Sequence, residues 1–153
     1  MLDDLRDSYA KSGDEHAEEF LDWRRYSQRP YISATHGNRY VQNYGNEIGK
    51  SYGNYEQSGT MPEGSVFAKD SFGVSANGQA QLGPLFLMEK MSTGWNTASD
   101  DWRYTLIMPN GQVVGTTKGE GDGNVEFCIA CHLHGAVDSA DSVLFLPDEL
   151  RAN

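Results

Sequence analysis

Ser65-Val66-Phe67-Ala68-Lys69-Asp70-Ser71-Phe72-Gly73-Val74 is the stretch on which the fold turns. It alternates and is rich in aromatic and β-branched residues, the pattern of a half-buried strand. Just beyond it, Asn77-Gly78 is a strong hairpin signal, and residues 82–91 return as a second strand. A loop over 94–100 leads to a third strand at 102–108. Pro109-Asn110-Gly111 turns the chain into a fourth at 112–117. Upstream, a short strand is expected over Arg39–Tyr44. The spacing therefore predicts an antiparallel sheet of four or five strands.

Helical patterns flank this block. Residues 14–25 read as a helix capped by Asp14, with acidic residues in the first turn and Arg24 and Arg25 in the last. Ala17, Phe20, Leu21 and Trp23 give it an apolar side. A second helix is expected over 45–57, with Ile48, Tyr52 and Tyr55 on one face. Residues 1–12 are polar and expected to fray. The class is α+β, with residues 1–153 forming one domain.

Composition narrows the function. A net charge of −10 without a basic cluster excludes an ordinary nucleic-acid binder and favours a basic docking partner. No apolar run approaches membrane-spanning length. Only 38% of the residues are apolar, so a buried apolar cofactor would help to fill the core.

Cys128-Ile129-Ala130-Cys131-His132 supplies that cofactor. Cys-x-x-Cys-His is the attachment signature of a c-type haem. The two thiols can add to the two vinyl groups of one haem, and His132 then lies under the iron as an axial ligand. With two cysteines in the chain, both in the motif, a disulfide framework is excluded. A zinc site using Cys128, Cys131, His134 and His36 would lack the usual second knuckle. A thioredoxin-like dithiol would lack its βαβ unit. Covalent haem attachment in bacteria takes place outside the cytoplasmic membrane. The opening residues do not read as a signal peptide, so an export signal removed from the precursor and a periplasmic location are expected. For the sixth coordination position the candidates are His16, His36, His134, Met61, Met88, Met91 and Met108. None is singled out, and an open distal face is favoured.

Lys69 interrupts the apolar strand and shares a face with Phe67 and Ser71. If that face meets the haem, the amine is desolvated and becomes a better nucleophile. The competing reading is a solvated lysine on an outward face.

Three segments in order, His36-Gly37-Asn38-Arg39-Tyr40-Val41, Pro62-Glu63-Gly64-Ser65-Val66-Phe67-Ala68-Lys69 and Cys128-Ile129-Ala130-Cys131-His132, resemble the cytochrome P-460 family over most of the chain. The resemblance implies a mostly antiparallel sheet flanked by helices, a haem held near the C-terminus through one axial His, and a homodimer. It implies hydroxylamine oxidation, with a lysine at the Lys69 position joined covalently to the haem. A sister branch, the cytochromes c′-beta, has the same fold without the cross-link and binds nitric oxide in an aromatic-lined pocket. Arg39 falls at a matching arginine near the haem, and Phe67 would line the pocket. The enzymes use a distal carboxylate, for which Glu120 and Asp122 are the candidates. Three functions stay open: a hydroxylamine-oxidising enzyme passing electrons to a basic redox protein, a nitric oxide binding cytochrome, and an electron carrier.

Overall fold

The computed structural model describes residues 7–136 and 141–152. Its frame is an antiparallel sheet. The strands are β1 (Arg24–Arg25), β2 (Tyr31–Ser33), β3 (Arg39–Gly45), β4 (Val66–Val74), β5 (Ala80–Leu82), β6 (Leu85–Lys90), β7 (Trp102–Ile107) and β8 (Val113–Thr116). The order is β1-β3-β4-β6-β7-β8, with β2 also on β3 and β5 also on β4. The class is α+β, as expected.

The sheet has eight strands rather than four or five. The additional pieces, β1, β2 and β5, are two or three residues long and are strands only because β3 and β4 present free edges to them. The return strand expected over 82–91 is broken at Gly83-Pro84. Pro84 has no N–H to give the ladder. Instead, Gly83 N–H donates to the Ser71 carbonyl at 2.8 Å and Ser71 Oγ donates to the Pro84 carbonyl at 2.6 Å.

Both helix expectations need correction. Asp14 caps α1 (Glu15–Glu19), accepting from the N–H groups of His16 and Ala17. The α-helix stops there, passing through a 3-10 turn at Phe20–Asp22, and Arg24 and Arg25 pair with Gly45 and Tyr44. Strand pairing overrides the local charge preference. Residues 45–57 are not an α-helix. Gly45 completes β3, and Lys50–Gln57 is a 3-10 segment kinked at Tyr55 (φ 49). Ile48 is exposed. The cause is Phe67, whose ring lies where a Cβ on Gly45 would approach to 2.8 Å and one on Gly49 to 3.0 Å. The backbone of this segment wraps the ring and gives up helical regularity. Of the residues expected to fray, 1–6 lie outside the described residues. Tyr9 is fully buried and donates its hydroxyl to the Gly83 carbonyl at 2.6 Å.

Strand alternation sends two sets of side chains to two faces. Tyr44, Ala68, Leu85, Leu87 and Ile107 face an N-terminal layer of Tyr9, Ala17 and Phe20. Phe67, Met88, Tyr104 and Leu106 face the other way, toward Tyr52, Val125, Val143 and Leu146. The second face carries the site.

Asp70 belongs to the first face and is 2% exposed. It accepts from the Gln42 N–H at 3.1 Å. Burial pushes its carboxyl up from the ordinary 3.8 to about 6. A raised carboxyl binds its proton more tightly in the native state, so native stability falls as pH rises from about 4 through 6. Asp70→Asn keeps the acceptor and removes the charge. It is expected to stabilise the protein at pH 7.5 by about 1–3 kcal/mol and to leave it nearly unchanged at pH 4, as read by denaturant unfolding at the two pH values.

Candidate haem-attachment site

The site grows from helix α2 (Glu126–Gly135), which carries Cys128 and, one turn later, the adjacent Cys131 and His132. Beneath it, β4 and its neighbours offer two rows of side chains. Asn43, Lys69, Phe86 and Leu106 stand in one row, and Gly45, Phe67, Met88 and Tyr104 in the next. Between helix and sheet lies a mostly apolar cavity of about 770 Å³, counting its open mouth. Cys128, Cys131, His132, Lys69 and Phe67 all line it.

The imidazole of His132 is held in one orientation. Its Nδ1 lies 2.9 Å from the Ser142 carbonyl, which can only accept, so Nδ1 carries the proton and Nε2 keeps its lone pair. Tyr104 packs on the ring at 5.3 Å. Burial, then the cation of Lys69, holds the imidazole down at about 4, so it is neutral and able to ligate. Ser142 is itself pinned. Its hydroxyl donates to Asp100 Oδ2. Asp141 beside it accepts from Lys90 Nζ at 2.6 Å and from the Met61 N–H at 2.9 Å, and its carbonyl accepts from Trp102 Nε1 at 2.8 Å. Lys90 also donates to the Asp100 carbonyl at 2.7 Å and lies 5.2 Å from the centre of the Trp102 ring. These bonds hold Asp141 and Ser142 in left-handed backbone at φ 50 and φ 58, a conformation that non-glycine residues adopt only when their surroundings compel it.

Lys69 is half-buried against the cavity. Burial lowers its ammonium to about 8. Its cross-strand neighbours are Asn43 and Phe86. His36, from the turn before β3, also lines the cavity. Its Nδ1 meets Ser33 Oγ at 2.8 Å and Thr35 Oγ1 at 3.1 Å, and its ring stands edge-to-face on Phe86 at 4.7 Å. Burial, with the neighbouring cation of Lys69, holds it at about 3.

The residues fit a covalently attached haem. Two thiols and a neutral, oriented imidazole face one apolar cavity, and the buried hydroxyls of Tyr26 and Tyr104 on its wall have no protein partner. The zinc alternative fits poorly. Among the described residues no cluster of His, Cys, Asp and Glu could hold a metal ion. An all-antiparallel sheet also removes the thioredoxin-like reading.

The remaining candidates separate. Arg39 does not line the cavity; its side chain lies over Gly83 and Gly73, where glycines leave it room. Of the possible sixth ligands, His36 and Met88 line the cavity. His16 is on the far face, 3.4 Å from Glu89. Met61 is buried and accepts from Ser51 Oγ. His134 is exposed on α2, and Met91 and Met108 do not line the cavity. Glu120 and Asp122 are exposed, and among the described residues no carboxylate lines the cavity. Sequence reasoning missed Tyr104, Ser142, Asp141 and Lys90. The alternation of Trp102, Tyr104 and Leu106 signals Tyr104; no local pattern announces the others.

The family model Cytochrome P460 matches residues 18–145. No curated protein matches the chain. Among the described residues no helix is long and apolar enough to cross a membrane.

Lys90→Met leaves the Asp141 carboxylate buried and unpaired. It is expected to destabilise the protein by about 3–5 kcal/mol in denaturant unfolding, with part of the loss recovered in the Lys90→Met, Asp141→Asn double variant.

Proposed function

From the premise that this chain belongs to the cytochrome P460 family, we propose that it is a mono-haem c-type cytochrome that oxidises hydroxylamine at an iron with an open distal position. The observation that carries the proposal is the meeting of Lys69 with Cys128, Cys131 and His132 on one cavity. Cys128 and Cys131 would hold the haem through thioethers, and His132 Nε2 would be its axial ligand. The haem supplies an iron that takes a small ligand and passes on electrons.

The chain's own residues do the rest. The Ser142 carbonyl keeps His132 in its ligating tautomer. Phe67, Phe86 and Met88 give the cavity an apolar wall. Burial of Lys69 raises the fraction of free amine at neutral pH. A bond from Nζ to a ring carbon would replace one N–H and one C–H, with the electrons leaving to an oxidant such as peroxide. Electrons taken from hydroxylamine would leave to a basic redox protein, matched to the net charge of −10. The same reading has the protein working as a periplasmic homodimer.

A second reading is favoured by one observation. Among the described residues no carboxylate lines the cavity, and Tyr52, Phe67, Phe86, Met88 and Val143 form much of its wall. That lining suits nitric oxide binding without turnover, as in the cytochrome c′-beta branch.

Absorption spectra and the intact mass of the purified holoprotein separate these readings. The enzyme reading expects a red-shifted Soret band, a haem–lysine bond that survives denaturation, and hydroxylamine-dependent reduction of an acceptor. Lys69→Arg should return the Soret band to that of ordinary haem c and abolish turnover. An ordinary Soret band with a free lysine, nitric oxide binding and no turnover would favour the second reading. Six-coordinate low-spin iron would overturn both. Cys128→Ser with Cys131→Ser is expected to abolish covalent haem, checked by mass and by haem staining of the denatured protein.

A further inference from the structure

Two imidazoles, not one, face the cavity. His132 packs on Tyr104 and His36 on Phe86. Phe86 pairs with Leu106 and Met88 with Tyr104, so Phe86 and Tyr104 are diagonal neighbours on adjacent strands. Such positions lie about 7–8 Å apart. The two rings therefore pack over separate points of the same sheet face. Each has its Nδ1 engaged by the protein, His132 by the Ser142 carbonyl and His36 by the hydroxyls of Ser33 and Thr35. In both, Nε2 is the nitrogen left for whatever occupies the cavity. His132, one residue after Cys131, is committed to the iron by the attachment motif. His36 comes from a different element, the 3-10 turn Ala34–His36 that enters β3. Carboxylates are absent from the lining among the described residues, and His36 is the cavity's second imidazole, beside the amine of Lys69 and the hydroxyls of Tyr26 and Tyr104.

Resting on the haem reading above, we propose that His36 Nε2 is the group that hydrogen-bonds a small ligand held at the iron's sixth position. The edge-to-face contact with Phe86 and the two hydroxyls fix the ring, so the hydrogen bond is prepared before the ligand arrives. His36 thus serves where a distal carboxylate would otherwise stand, and it selects for ligands with a polar outer atom: hydroxylamine, nitric oxide or carbon monoxide rather than an apolar gas.

The test uses the intact holoprotein and two variants, His36→Phe and His36→Gln. The first removes the polar nitrogen, and the second keeps a polar side chain if an aromatic replacement disturbs the turn. Carbon monoxide bound to the reduced protein is the probe, read by the infrared C–O stretch, and nitric oxide release is timed by stopped flow. His36→Phe should shift the C–O band and speed nitric oxide release about two- to tenfold, the range for one lost hydrogen bond. His36→Gln should fall between it and the parent protein. Bands and release rates alike in all three proteins would overturn the proposal. So would a low-spin six-coordinate spectrum of the parent that turns high-spin in His36→Phe, because His36 would then be an iron ligand. Failure of the parent protein to carry haem or to bind either gas would instead overturn the haem reading itself.

Discussion

The hydrogen bond between His132 Nδ1 and the Ser142 carbonyl is the constraint on which the rest of the site depends. A ring free to turn could not hold one nitrogen toward a metal. Here the acceptor lies in a backbone segment that would not take its left-handed form unaided. The buried Lys90–Asp141 ion pair, Trp102 Nε1 and the Met61 N–H hold that segment. A charge pair so placed contributes little net stability and much definition, because neither partner can leave without stranding the other in a poorly solvated place. Strands β6 and β7, which carry Lys90 and Trp102, are thereby coupled to the orientation of the His132 ring on α2.

The sheet divides the protein's work between its faces. One face is closed by the N-terminal layer and hides Asp70, a carboxyl that burial holds near 6. The other carries Lys69, Phe67, Phe86 and Met88 into the cavity. A shift of one residue in the register of β4 would exchange Lys69 for Asp70 or Ala68 and leave the cavity without its amine. Packing of Phe67 on the backbone of Gly45 and Gly49 guards against that slip. Membership of the cytochrome P460 family accords with this arrangement, since the matched residues 18–145 span both faces and helix α2.

The long elements were legible. Strands β3, β4 and β7 and the turn at Asn77-Gly78 follow from alternation and turn chemistry, which are local. That Cys128, Cys131 and His132 lie together follows from spacing alone, and that Lys69 and Phe67 share a face follows from strand parity. The misreadings share a cause. Arg24 and Arg25 look like the end of a helix until β3 offers them an edge. Residues 45–57 look helical until Phe67 needs their backbone. Tertiary partners outweighed preferences worth only fractions of a kcal/mol per residue.

By itself the sequence determined the α+β class, the attachment motif and the face that Lys69 shares with Phe67, because each depends on residues adjacent in the chain or on a fixed period. Only the tertiary structure decided that His36 shares the cavity with His132, that Arg39 does not line it, and that Lys90, Asp141 and Ser142 hold the ring. Those relations join residues tens of positions apart. They rest on which strands are neighbours and on buried polar groups finding partners, and both are settled only when the chain has closed on itself.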